Sequence, residues 1–333
     1  MSASTLPQDS SFSLDTKELI AKLETGQFSL LQTFGAGSLL TEMKTVGRLC
    51  RIAIDVIFVL HRVIFPIYTL TRIVCRRQSS SSTVMRRKLA SWLVRRFFPD
   101  RYIGEIPQPT EGVMVVGFNH PTLHEILSLI AWALKNFPER ENCFPVNLPW
   151  YECLARRANQ LSTLGIHITP IITESTYEKI KNICKDQASM DIVSTIRQNF
   201  FRHYGSLAGD FARDNNNVFA APSATRQSTI FPSREAYENC PIKTPIPSTM
   251  TVLALSIKRK NKSKTGIFLP VTIIPSPRHN LGLNLFRVYE IRTGTPIPMS
   301  TVNVLAKNKT LEDFFLHKLT EQAPKELWYP AAK

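Results

Sequence analysis

Asn119, His120 and Glu125 are the residues whose types and spacing best suit chemistry. An imidazole with a carboxylate five residues on can act as a general base, the acid orienting the ring and stabilising its charged form. Their setting favours this. Gly112 to Phe118 is a short apolar run of the kind a buried strand makes. Pro121 supplies the fixed φ of a first helical position, and Leu123, Leu127, Ile130 and Leu134 recur at helical spacing. A strand over 112–118 and a helix over 122–136 are therefore predicted, with the polar residues at their junction. There the sheet fixes position and the loop leaves it accessible. The plainer reading has His120 capping the helix and Glu125 as a solvated first-turn acid. His124 is either a competing base or a helix-surface residue. A metal site on His120, His124 and Glu125 lacks a further ligand cluster to complete it.

At 333 residues, 43% of them hydrophobic, the chain can bury a substantial core in one large domain with extensions or in two ordinary ones. Its charge is less usual. Forty-one Lys+Arg against 26 Asp+Glu leave a net +15, which calls for an anionic partner: a phosphate-bearing substrate, an acidic membrane surface or nucleic acid. The six cysteines (50, 75, 143, 153, 184, 240) show no C-x-x-C and no zinc spacing, and read as reduced, mostly buried thiols of an intracellular protein. The first 45 residues have no arginine and no cationic start before an apolar run, so neither a signal peptide nor a mitochondrial presequence is expected there.

Three regions are expected: a polar tail and amphipathic helix over 1–45, a basic and hydrophobic membrane-associating helical region over 46–100, and an α/β domain over 101–333. In the first, Leu14 to Phe34 reads as one helix, broken at Gly35 and Gly37. In the second, residues 48–101 hold eleven arginines and Lys88 against Asp55 and Asp100, a net +10. Between these charges lie the apolar runs Ile52 to Leu60 and Val63 to Leu70, whose summed length approaches the roughly 20 residues a bilayer needs. Asp55, His61, Arg62 and Pro66 fall in the middle, where charge is expensive. A helical pair lying in the interface, with arginines reaching lipid phosphates, fits better than a span. A true transmembrane helix and a buried core hairpin are the alternatives. After a serine run at 78–82, Leu89, Trp92, Leu93 and Phe97 form a second stripe beside paired arginines. The cations alternate with long aliphatic runs and not with exposed stacking aromatics, so no nucleic-acid partner is expected.

From Tyr102 the pattern is α/β. Strands are expected at 143–147 and 165–171, a helix from about 149 to 164, helical structure over 177–204, and a polar loop over 210–217. A strand then begins at Val218, a helix spans about 248–258, and an apolar strand covers 267–274. His167, between Ile166 and Ile168, reads as a packed core histidine. The basic loop 258–264 reads as a solvated face. Residues 281–333 suggest one or two strands and a helix over 310–322.

Asn119-His120-Pro-Thr-Leu-His-Glu125 resembles the His-x4-Asp signature of the glycerol-3-phosphate and lysophosphatidate acyltransferases, the PlsC-like enzymes, with Glu in place of Asp. Val218 to Arg226 resembles the family's third motif. Pro222, Thr225 and Arg226 match, while Ser223 stands for Glu and Ala224 for Gly. Ile267 to Ile274, around Pro270 and Val271, resembles the fourth. The strand over 165–171 has Pro170 and lacks the arginine that usually ends it; Arg156 and Arg157 lie just upstream.

This resemblance, covering roughly residues 100–290, implies a mixed sheet flanked by helices and preceded by basic, amphipathic membrane-associating helices. It implies a phospholipid-synthesis or remodelling enzyme on the cytoplasmic face of a membrane with anionic lipid, holding no bound cofactor. Acyl-CoA or acyl carrier protein would bring the acyl thioester. His120 would be the general base oriented by Glu125. Thr225, Arg226 and Ser223 would bind a phosphate-bearing glycerolipid acceptor, and Asn119 would position the His120 loop. A phosphate monoester suits the hydroxyl and arginine fork of Thr225 and Arg226. Two other classes compete: a non-catalytic lipid-binding protein on the same fold, which the departures favour, and a basic nucleic-acid-binding protein, which charge alone supports.

Overall fold

A short apolar strand buried on both sides must lie inside a layered sheet, and residues 113–118 do. The structure, a computed structural model, describes residues 15–35, 44–74, 81–107, 112–120, 125–184, 186–222, 249–260, 265–279 and 287–325. The first elements among the described residues are α1 (Thr16–Thr25), α2 (Leu30–Thr33), α3 (Lys44–Val74) and α4 (Ser82–Phe97). β1 (Asp100–Ile103), β2 (Val113–Phe118), α5 (Glu125–Asn136), β3 (Asn142–Asn147), α6 (Leu148–Leu154) and α7 (Ala158–Thr163) follow. Then come β4 (Ile166–Ile171), α8 (Glu174–Ile183), α9 (Gln187–Arg213), β5 (Asn217–Ala220) and α10 (Thr249–Lys260). β6 (Gly266–His279), β7 (Arg287–Thr293), β8 (Ile297–Pro298), α11 (Met299–Lys307) and α12 (Leu311–Thr320) are the last described elements.

The eight strands form one mixed, mostly parallel sheet in the order β1-β7-β6-β2-β5-β3-β4, with β8 on β6. β2 is interior, parallel to β6 on one side and to β5 on the other. Its residues are 0–4% exposed where they are apolar, alternating between two cores. Val113 and Val115 face a cluster with α9, α10, α11 and α12; Met114, Val116 and Phe118 face one with Leu129 and Trp132 of α5. Gly117 is required by packing: a Cβ there would lie 2.2 Å from Cε1 of Phe315, whose ring fills the space beneath the end of the strand.

Several expected elements are cut differently. Leu14 to Phe34 is not one helix, because Gly26 takes a left-handed φ of 71° that ends α1, and Ser29 caps α2. The helix expected from 149 to 164 is interrupted by a 3₁₀ turn over 155–157. The polar segment from Asp210 is still helical to Arg213, with Asp210 holding Lys260 Nζ at 2.8 Å. β6 runs on to His279, and α11 is a helix that no motif announced. Cys143 is buried, whereas Cys153 and Cys184 are half-buried. His167 is likewise only partly buried: its ring meets Phe211 edge-on at 5.1 Å and Nε2 lies 2.8 Å from Glu141.

The two apolar runs at 52–60 and 63–70 are not a pair of helices. They are one 31-residue helix, α3, which continues through Pro66 at the cost of a ladder hydrogen bond. Ala53 and Ile57 pack on Leu89, Leu93 and Val94 of α4 and on Ala131 of α5, so this basic region is seated on the α/β body. In α4 the expected stripe splits: Leu89 and Leu93 are buried, whereas Trp92 points outward at 49% exposure.

Candidate functional site

The C-terminal end of β2 delivers Asn119 and His120 directly into the crevice above the sheet, where ligands of open α/β sheets bind. Beyond Phe118 the backbone ladder stops, and the side chain of Asn119 takes its place. Asn119 Nδ2 donates to the carbonyl of Ile273 at 2.9 Å, and the N–H of Ile273 donates to Asn119 Oδ1 at 2.6 Å. The amide thus acts as one more rung between β2 and β6, and it holds the loop that carries His120. Its donor and acceptor are both engaged with the main chain, which makes it a positioning residue.

Glu125, the first residue of α5, is fully buried, and its Oε1 pairs with Nδ1 of His120. A carboxylate can only accept, so with Glu125 ionised Nδ1 carries the proton and Nε2 is left as the imidazole's acceptor. The His120 side chain keeps 28% exposure, and Phe118 meets its ring edge-on at 6.5 Å. The plainer alternative of a solvated acid fails on Glu125's burial. What the sequence offered as a pair is a pair, with Glu in the acid's place and in direct contact. Pro121 and His124 lie outside the described residues, as do Ser223, Thr225 and Arg226, so the expected acceptor-binding group is not placed. Among the described residues no group of three or more His, Cys, Asp or Glu is arranged to hold a metal ion.

His120 lines a cavity of about 210 Å³. Its walls are mostly aliphatic and aromatic: Ile126 and Ile130 of α5, Phe144 and Val146 of β3, and Ile166 and Ile168 of β4. At the C-terminal ends of β3 and β4 the lining turns polar. Asn147 Nδ2 donates to Thr176 Oγ1 at 2.8 Å, and Thr173 and Ser175 close that end. Three residues on this cavity were not assigned by their positions in the chain. Phe58 and His61 come from α3, and Arg157 from the 3₁₀ turn after α6. His61 Nε2 donates to the Arg86 carbonyl at 3.2 Å, and its ring stacks on Phe65. Burial pushes the His61 imidazole below its ordinary value; the carbonyl contact opposes this, and the Arg86 charge adds to it. Arg157 pairs with Asp55 and lies over the Phe58 ring at 5.3 Å. No linear signal marks these three, since they meet only when α3 folds across the body. Among the described lining residues Arg157 is a cation and none is an acid, so the cavity presents mainly apolar surface with the Arg157–Asp55 pair at its edge.

An acid-oriented imidazole, with its second nitrogen available at the rim of an apolar cavity, can take a proton from a hydroxyl while a hydrocarbon chain is held beside it. No protein-family model, curated protein or solved structure matches the chain.

Proposed function

We propose that this protein is an O-acyltransferase working at a membrane surface, moving a fatty acyl group from a thioester to a hydroxyl of a glycerol phosphate or lysophospholipid. The observation that carries the reading is the His120–Glu125 pair at the rim of the apolar cavity. The motif order noted in the sequence supports it, as does the basic, apolar helix α3 seated on the same cavity.

In this mechanism His120 Nε2 removes the proton of the acceptor hydroxyl as its oxygen attacks the thioester carbonyl. The new C–O bond forms and the carbonyl oxygen takes the negative charge. Collapse of the adduct breaks the C–S bond, and the imidazolium returns its proton to the departing thiolate. Glu125 holds the ring and offsets the imidazolium charge while it lasts. The acceptor's own hydroxyl attacks, so no protein nucleophile is needed. The acyl chain would occupy the aliphatic walls, and the donor thioester would come from coenzyme A or acyl carrier protein.

The test is transfer of a radiolabelled acyl group onto glycerol-3-phosphate, lysophosphatidate and lysophospholipids. We expect labelled product from wild type, a fall of about 10²–10⁴-fold in folded His120→Ala, and a smaller fall in Glu125→Gln. Full activity in folded His120→Ala would sink the assignment. The same aliphatic cavity also suits a non-catalytic lipid carrier; lipid binding without labelled product on any acceptor would favour that reading.

A further inference from the structure

The helix that walls the His120 cavity also carries an exposed apolar face. Ile52, Val56, Val59, Val63, Ile67 and Leu70 recur every three or four residues along α3 and are 38–66% exposed. The stripe runs for about 27 Å. The segment Ile52–Leu70 has mean hydropathy 1.8, and only 17% of it is buried. An apolar patch of this length marks an interaction site. Around it stand the groups that suit a lipid–water boundary. Arg62, Arg86 and Lys88 are exposed, and Arg96 stacks on exposed Trp92 at 5.0 Å. A second copy of this chain would set one strongly basic face against another. A bilayer containing anionic lipid meets both the apolar stripe and its cations.

The opposite side of the same helix belongs to the cavity, through Ile54, Ile57, Phe58 and His61. Across from it stand Trp150 and Leu154 of α6, and Arg157. The seam between the two walls is crossed by the Asp55–Arg157 ion pair, whose side chains are 52% and 30% exposed. Exposed pairs of this kind hold weakly and are screened by salt. Arg157 also has an alternative partner of the same charge-assisted type, because a lipid phosphate accepts the guanidinium fork as a carboxylate does.

We propose that α3 is a gate resting on the bilayer. Single-chain lipids pass sideways from the leaflet into the His120 cavity beneath it, through the seam that the Asp55–Arg157 ion pair bolts. In water the bolt keeps the cavity walls together. At an anionic surface, phosphate competes for Arg157, Asp55 is released to solvent, and the chain moves from hydrocarbon to cavity without crossing water. The inference rests on the membrane-surface reading above, and it does not require the chemistry of His120.

The experiment follows a fluorescent single-chain lipid, a polyene fatty acid, into the full chain by two routes. One delivers it from vesicles of phosphatidylcholine and phosphatidylglycerol; the other delivers it as monomer from water. Variants are checked for folding by circular dichroism. Asp55→Asn should load several-fold faster than wild type from vesicles, with an unchanged final level of binding. Asp55→Arg combined with Arg157→Asp, which restores the pair in reverse, should return the rate to that of wild type. Val59→Asn with Val63→Asn should load slowly from vesicles and normally from water. Unchanged vesicle loading in Asp55→Asn overturns the bolt. Normal vesicle loading in the Val59/Val63 variant, or a stable dimer through α3 in solution, overturns the gate. Failure of wild type to load by either route overturns the lipid cavity, and with it the proposed function, which a failure of the gate alone leaves standing.

Discussion

Two regions of this chain are strongly apolar and folded on opposite terms. β2 is buried on both faces, and each of its apolar side chains has neighbours on every side. α3 is longer and also strongly apolar, yet it buries one side and leaves the other bare. In β2 hydrophobicity is spent on holding a histidine in place. In α3 much of it remains unused by the fold and is free for something outside the chain. Substitutions should therefore separate the two regions cleanly.

The largest effect on stability is expected at the end of β2. Gly117→Ala drives a methyl group into the Phe315 ring, and relief requires the strand or the ring to move. Overpacking of this sort costs about 1–3 kcal/mol. Thermal unfolding should show it, and Phe315→Leu in the same chain should recover part of the loss. If the melting temperature of Gly117→Ala equals that of wild type, the region is looser than its burial implies. Next in size is Asn119→Ala, which removes both hydrogen bonds to Ile273 and should cost about 1–2 kcal/mol. Acyl transfer should fall with it, through displacement of His120, and Asn119→Asp should not rescue it, because the carboxylate cannot donate to the Ile273 carbonyl.

pH should distinguish the regions as well. The folded-state value of His61 lies below its unfolded value of about 6.5, so the unfolded side chain takes up a proton more readily than the folded one. The contribution of His61 to holding α3 is therefore complete above about pH 6.5 and is lost as pH falls below it. The protection factors of α3 amides, corrected for the intrinsic pH dependence of exchange, should fall between pH 7 and pH 5.5 while those of β2 hold. An equal fall in both would remove the distinction. The smallest stability effect belongs to Val59→Asn and Val63→Asn, expected within about 0.5 kcal/mol of wild type because both side chains already face outward. The same change should abolish sedimentation with anionic vesicles.

How much of this the sequence disclosed follows the same division. The β2 strand and the His120–Glu125 pair were legible, because an apolar run and a periodic helix state them locally. The contact of Asn119 with Ile273 was not, since it joins residues 154 positions apart. Nor was the role of Arg157, which depends on α3 folding back over a 3₁₀ turn. For α3, the apolar and basic composition suggested a pair of helices divided between Leu60 and Val63, with Pro66 inside the second run. The helix runs through, because Pro66 is exposed and other contacts of α3 hold the register. Gly26 carried a termination signal that the run of leucines around it concealed.

The passage from α4 into β1 has a mechanical consequence. Phe98, the C-cap of α4, is fully buried, and Pro99 alone separates it from the first residue of β1. β1 is in turn locked to β7, and β7 to β6, the strand that anchors Asn119. No slack is built in between α4, which carries the exposed Trp92, and the loop that carries the imidazole. Seated on a bilayer, His120 would stand at one height above the headgroups, like a cutter on a fixed stand. The molecule would then choose among hydroxyls by their depth in the leaflet as well as by their chemistry.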